Sequence, residues 1–192
     1  MTMEAFGEQS FGDESGSGAS ENLEPGWLSE EELAETRGRV PLLYVEAVPV
    51  RMDPDGQITS VGLLLRASRS GAITRTLVSG RVMFGERVRD ALMRHLEKDL
   101  GPVAFPVLPL SVVPHAVAEY FPWPGGRLHD PRQHAVSLVY AVPVSGECQP
   151  RQDALELTWM TPAEAAADDV VAEMEGGRGA LLRQVLQQLG AL

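Results

Sequence analysis

Three side chains near the middle of the sequence have the types and spacing needed for chemistry on phosphates or metals. His95, Lys98 and Asp99 are separated by steps of three and four residues, so a helix would place them on one face. The carboxylate of Asp99 suits a hard divalent cation, which takes several oxygen ligands. The imidazole of His95 suits a softer metal such as Mn²⁺ or Zn²⁺. The ammonium of Lys98 would repel a cation and attract a phosphate.

The residues around these three follow a fixed spacing. Five residues separate Gly80 from Glu86, seven separate Glu86 from Arg94, and Gly101 closes the segment. In this spacing the chain resembles the Nudix hydrolase superfamily, whose box is Gly, five residues, Glu, seven residues and then Arg-Glu-aliphatic-x-Glu-Glu-x-Gly-aliphatic. The resemblance extends over about residues 40–190.

The resemblance implies a hydrolase of nucleoside diphosphates linked to another moiety, with Mg²⁺ or Mn²⁺ held by three Glu of the box. His95, Lys98 and Asp99 stand at those three positions, so most of the carboxylates are replaced. In an active enzyme we expect His95 and Asp99 as metal ligands and Asp99 and Glu156 as catalytic acids. The alternative is a non-catalytic module that senses a nucleotide or binds a protein partner, for which no cofactor is expected.

Two interpretations of Lys98 stay open. Its ammonium could pair with Asp99 or with the phosphate of a bound ligand, replacing the metal of the family. It could equally be a solvated helix residue on a site that has lost its function.

The other box residues are expected to maintain the scaffold. By the same resemblance, Glu86 and Arg94 hold the loop against the helix through a salt bridge. Gly80 and Gly85 are expected to permit backbone conformations that other residues resist, and Gly101 ends the helix.

Residues 122–133 form a polar loop rich in Pro and Gly that is similar to the variable substrate loop of the family. Arg127 and Arg132 could grip a diphosphate by bidentate contacts, or could belong to a solvated loop. Neighbouring aromatic side chains offer a base-stacking surface or ordinary core packing: Tyr120, Phe121 and Trp123.

Hydrophobic periodicity predicts the elements that position these residues. A helix is predicted over residues 88–100, a short helix begins after the Ser29 cap, another begins after Thr161, and an amphipathic helix ends the chain. The predicted strands are 42–51, 59–67, 73–78, 107–113, 116–121, 134–144 and 154–160.

The charge of the chain is concentrated at its start. The formal net charge is −11, and residues 1–35 hold ten acids and no Lys or Arg. The remaining residues carry 17 acids against 16 bases, so no excess of positive charge favours nucleic acid. No apolar run is long enough to span a membrane, and the first residues lack a secretory pattern. A cytoplasmic protein is therefore expected.

The sequence predicts three regions: a disordered acidic tail over residues 1–25, a short helix and linker over 26–39, and a Nudix-like domain over 40–192. Because strands and helices do not alternate regularly, we expect an α+β fold with a mixed sheet flanked by helices on two sides. The expected partners are a nucleotide or phosphorylated small molecule, and a protein partner or homodimer is a further hypothesis.

Overall fold

The computed structural model of the chain describes residues 27–67, 71–150 and 154–192. The tail predicted over residues 1–25 lies outside the described residues. Within the described part, no helix is long and apolar enough to cross a membrane.

The helices and strands alternate irregularly along the chain. The helices are α1 Glu30–Arg37, α2 Val88–Leu100, α3 Pro162–Ala165, α4 Asp168–Ala172 and α5 Arg178–Gln188, with a 3₁₀ turn at Glu175–Gly177 before α5. The strands are β1 Leu42–Met52, β2 Ile58–Ala67, β3 Ile73–Thr76, β4 Val78–Arg81, β5 Ala104–Pro106, β6 Ala116–Tyr120, β7 Ala135–Gly146 and β8 Ala154–Met160.

These strands form one mixed sheet, as the sequence predicts. At its centre β1 runs parallel to β7, while its other edge is antiparallel first to β4 and then to β2. The sheet continues from β2 to β3 and β8, and from β7 to β5 and β6. Both long strands are buried because each is paired on both edges and covered on both faces.

Helices cover the two faces of the sheet, which confirms the predicted layering. On one face α2 buries its apolar stripe against β1, β4 and β7, and on the other α5 packs on β1, β2, β6 and β7. The apolar side chains that do this recur at the spacing of a helix: Ala91, Leu92, Leu96 and Leu100 in α2, and Leu181, Leu182, Val185 and Leu186 in α5.

The sheet forks where the sequence predicts a single strand over residues 73–78. Its first part, β3, pairs with β2, whereas its second part, β4, pairs with β1, and the buried Leu77 separates the two. β2 and β1 are paired only at Val50–Met52 of β1, so the two halves of the sheet diverge beyond that point. This fork opens a cleft at one end of the sheet.

The prediction of a strand over residues 107–113 is wrong. The structure has β5 at Ala104–Pro106 and no strand over residues 107–115. Pro109 and Pro114 lack the N–H that a ladder requires, and Leu110 is 94% exposed. The apolar residues of this segment therefore belong to an irregular loop.

The helix before the domain forms as predicted. The Ser29 hydroxyl accepts from the N–H of Glu32, whose carboxylate in turn accepts from the N–H of Ser29. At its other end Arg37 donates to Gln133 over 2.9 Å, which joins α1 to the loop before β7.

Candidate functional site

The loop between β4 and α2 is held by one bidentate ion pair. Arg94 donates to both carboxylate oxygens of Glu86, over 2.7 and 2.8 Å, and to the carbonyl of Arg81. Glu86 also accepts from the N–H of Met83. The hydrogen bonds from Arg94 hold the pKa of Glu86 below its ordinary value, although partial burial opposes them. This pair fixes the path of the loop over the start of the helix.

Gly80 and His95 are packed directly against each other. A Cβ at Gly80 would lie 1.8 Å from Cε1 of the imidazole, so only glycine leaves room for the ring. Nε2 of His95 lies 3.1 Å from the carbonyl oxygen of Arg81 and must therefore donate to it. Burial lowers the pKa of His95, so the ring is neutral near pH 7. His95 thus fills space between α2 and β4.

Asp99 lies at the end of α2 and is almost completely enclosed, with a side chain 1% exposed. Arg66 of β2 approaches it from the sheet, with Nη2 of the guanidinium 2.6 Å from Oδ2. Nζ of Lys98 lies 3.6 Å from the other carboxylate oxygen. One buried carboxylate therefore has two cationic neighbours from the chain itself.

These residues do not fit the divalent cation that the resemblance implies. Hard cations need several oxygen ligands, yet Asp99 already carries Arg66 and His95 is enclosed against Gly80. In the described ranges, no group of three or more His, Cys, Asp or Glu side chains could hold an ion. The carboxylate that α2 offers at this site, Asp99, is therefore paired with the cationic side chains of Arg66 and Lys98.

The other predicted site residues lie in separate places. Glu156 is exposed on β8, opposite Leu65 of β2, and its carboxylate accepts from Thr158. Arg127 is exposed and lines a small cavity beside α5, away from Arg132. Gly85 and Gly101 have φ of +76° and +89°, a region that favours glycine.

The cleft in the fork of the sheet is a cavity of about 630 Å³. Arg66 lies on its β2 wall, whereas Arg132 and Arg178 come from the loop before β7 and from the start of α5. The other lining residues are Ala67, Thr74, Thr76, Ser79, His129, Asp130, Pro131, Glu175 and Gly176. A volume of this size is typical of small-molecule sites.

Each of these arginines has a buried acid behind it. The acidic side chains are at most 7% exposed, whereas those of Arg66, Arg132 and Arg178 are 20%, 43% and 20% exposed. Asp130 accepts a bidentate pair from Arg132, over 2.8 and 2.7 Å, and these bonds outweigh burial and lower the pKa of Asp130. The partner carboxylates are buried, whereas the side chains of the three arginines that line the cavity stay partly exposed.

Below Arg178 lies a buried polar group that the sequence analysis missed. Glu46, in the middle of β1, accepts from Nε of Arg178 over 2.9 Å and from the hydroxyl of Tyr120. Burial, and then the charge of Glu46, raise the pKa of Tyr120 above its ordinary value, so its hydroxyl stays protonated. A lone acid inside the apolar run of residues 42–50 was the available signal.

Comparisons with known proteins agree with this fold. The family described as "Domain of unknown function (DUF4916)" matches residues 23–191.

Two solved structures share the fold at low identity. The Nudix hydrolase from Nitrosomonas europaea is 17% identical over 79% of this chain and 90% of its own, with a TM-score of 0.56. The Nudix domain of Shewanella oneidensis NrtR, complexed with ADP-ribose, is 19% identical over 84% and 99%, with a TM-score of 0.54. The chain belongs to the DUF4916 family, and its fold is that of the Nudix hydrolases.

A further solved structure is much more similar. It is described as a possible asymmetric diadenosine tetraphosphate hydrolase from Jonesia denitrificans, and it is 59% identical, with a TM-score of 0.78. The match covers 80% of this chain and 98% of that chain. No curated protein matches the chain.

Proposed function

We propose that this Nudix protein binds a nucleotide through its diphosphate or polyphosphate group, in the cavity at the fork of the sheet. The observation that carries the proposal is the cavity wall, on which Arg132 is exposed and Arg66 and Arg178 are partly exposed while their acidic partners are buried. A guanidinium is a strong phosphate ligand because its planar donors match phosphate oxygens.

The wall is preorganised for an anion. Asp130 and Glu46 fix the positions of Arg132 and Arg178 before any ligand arrives, so little side-chain entropy remains to be lost on binding. The ADP-ribose bound by the NrtR domain and the description of the Jonesia denitrificans protein support a nucleotide as the ligand class.

The test is calorimetric titration with ADP, ADP-ribose and diadenosine tetraphosphate. We expect saturable binding of at least one of them, and we expect Arg132→Gln to weaken it tenfold or more. Arg39→Gln is the matched control because Arg39 lies in an exposed pair with Glu35 outside the cavity. Absence of saturation with all three nucleotides, with and without Mg²⁺, would contradict the proposal.

Hydrolysis is the second candidate function, favoured by the 59% identity to the possible diadenosine tetraphosphate hydrolase. The residues at the end of α2 argue for binding without metal-dependent cleavage, since Asp99 is already paired. Chromatography of diadenosine tetraphosphate incubated with the protein and Mg²⁺ or Mn²⁺ separates the two functions. Mononucleotides that appear only without EDTA would establish the hydrolase, whereas intact substrate in both samples supports the binding function.

A further inference from the structure

The charge around Asp99 is balanced without any ion from solution. A carboxylate this deeply buried needs an opposite charge nearby, because leaving it uncompensated costs several kcal/mol. Arg66 supplies that charge at 2.6 Å and Lys98 adds a second cation at 3.6 Å. The chain therefore provides, through its own residues, the positive charge that the Nudix resemblance assigns to a metal.

Arg66 also belongs to the cavity. It stands at the end of β2, opposite Thr74 of β3, and its side chain lines the same space as those of Arg132 and Arg178. Among the described residues that line the cavity, Arg66 is the arginine that pairs with α2, through Asp99.

We propose that Arg66, anchored by Asp99, takes the place of a divalent cation and contacts the diphosphate of the ligand, so that phosphate recognition is independent of metal. This inference rests on the proposed nucleotide-binding function and adds to it the group that replaces the metal. Arg132, in the loop before β7, and Arg178, at the start of α5, line the same cavity, so an anion bound there would meet cationic residues from three parts of the chain.

The experiment is a titration of inorganic pyrophosphate and of ADP into the full chain in excess EDTA, repeated with Mg²⁺. We expect saturable binding in EDTA, and no tighter binding with Mg²⁺. Since Arg66→Ala alone would leave Asp99 charged and buried, the informative variant is Arg66→Gln with Asp99→Asn, which removes both charges and keeps polar side chains in place. Its circular dichroism and thermal melt report whether it folds.

In this double variant we expect the dissociation constant for pyrophosphate to rise at least tenfold. Arg66→Lys keeps the charge and loses the planar guanidinium, so an intermediate loss is expected. The control Arg39→Gln should bind within twofold of the unmodified chain.

Three results would overturn the inference while leaving the nucleotide-binding function standing. They are binding that requires Mg²⁺ or Mn²⁺, a folded double variant that binds as tightly as the unmodified chain, and stoichiometric binding of Mn²⁺ alone in an electron paramagnetic resonance titration. A lack of any binding to pyrophosphate, ADP and the larger nucleotides in both buffers would overturn both proposals.

Discussion

The loop before α2 and the C-terminal end of the same helix carry the two halves of one motif, and they differ in the contacts that hold them in place. In the loop, Glu86 and Arg94 bind each other, and both belong to the motif itself. At the end of the helix, His95 packs on Gly80 of β4 and Asp99 pairs with Arg66 of β2. The first half depends on a contact between the loop and the helix, and the second depends on contacts of the helix with the strands β4 and β2.

This difference separates the scaffold from the chemistry. The pair of Glu86 and Arg94 joins the loop to the helix, and its two residues are only eight positions apart in the sequence. What the helix does chemically depends on which charge the sheet presents to it. Here β2 places the guanidinium of Arg66 against Asp99, so the helix of the Nudix-like motif contacts a cation that belongs to the chain itself.

The largest effect is expected from breaking the contact between helix and sheet. In Arg66→Ala the buried Asp99 loses its nearest cation, and Lys98 at 3.6 Å compensates only in part. Removing one partner of a buried pair typically costs about 3–5 kcal/mol. Urea unfolding followed by circular dichroism at pH 7 measures this loss.

Arg39→Ala is the control for that experiment, since the Arg39–Glu35 pair is exposed and such pairs contribute about 1 kcal/mol or less. If Arg66→Ala cost no more than this control, Asp99 would not depend on Arg66, and the contrast between the two halves of the motif would disappear.

The local half of the site was predictable from the sequence. The spacing of apolar residues in 88–100, followed by Gly101, gives α2 with its observed bounds, and the predicted pair of Glu86 and Arg94 is present. The helix follows from the periodicity of its apolar residues, and the pair follows from the resemblance to the Nudix box.

The cavity could not be predicted in the same way. Arg66, Arg132 and Arg178 are far apart in sequence, and they meet only because the strand predicted over 73–78 divides at Leu77 and forks the sheet. The sequence analysis therefore grouped Arg132 with its neighbour Arg127, which lines a different cavity. Periodicity gives the face of each element, but not the pairing that brings distant elements together.

An intermediate effect is expected from Gly80→Ala, which tests the contact between Gly80 of β4 and the imidazole of His95 in α2. The new Cβ would overlap the imidazole of His95, which must move and lose its bond to the carbonyl of Arg81. Overpacking of this kind costs about 1–3 kcal/mol. If the ring is the cause, the cost of Gly80→Ala measured by urea unfolding should be smaller in a His95→Ala background.

Gly85→Ala is the matched control for that double-mutant cycle. Gly85 has φ of +76°, and a methyl group added there would meet no atom of the described residues within 4 Å. Its cost is therefore backbone strain of about 1–2 kcal/mol, which should be the same with and without His95. If His95→Ala reduced the costs of Gly80→Ala and Gly85→Ala equally, it would act by loosening the whole loop.

The smallest effect is expected from Glu86→Gln, and its pH dependence identifies the cause. Since Arg94 holds the pKa of Glu86 below its ordinary value, the pair stabilises the fold fully above the unfolded pKa of about 4.3 and loses this effect as the pH falls through the folded pKa. We expect a loss of about 1 kcal/mol at pH 7 in urea unfolding, shrinking toward zero below pH 4.

Glu97→Gln, on an exposed position of the same helix, should have little effect at either pH. A loss for Glu86→Gln that stayed constant down to pH 3 would show that packing of the side chain, rather than its charge on Arg94, holds the loop, and the scaffold half of the motif would then be steric in origin.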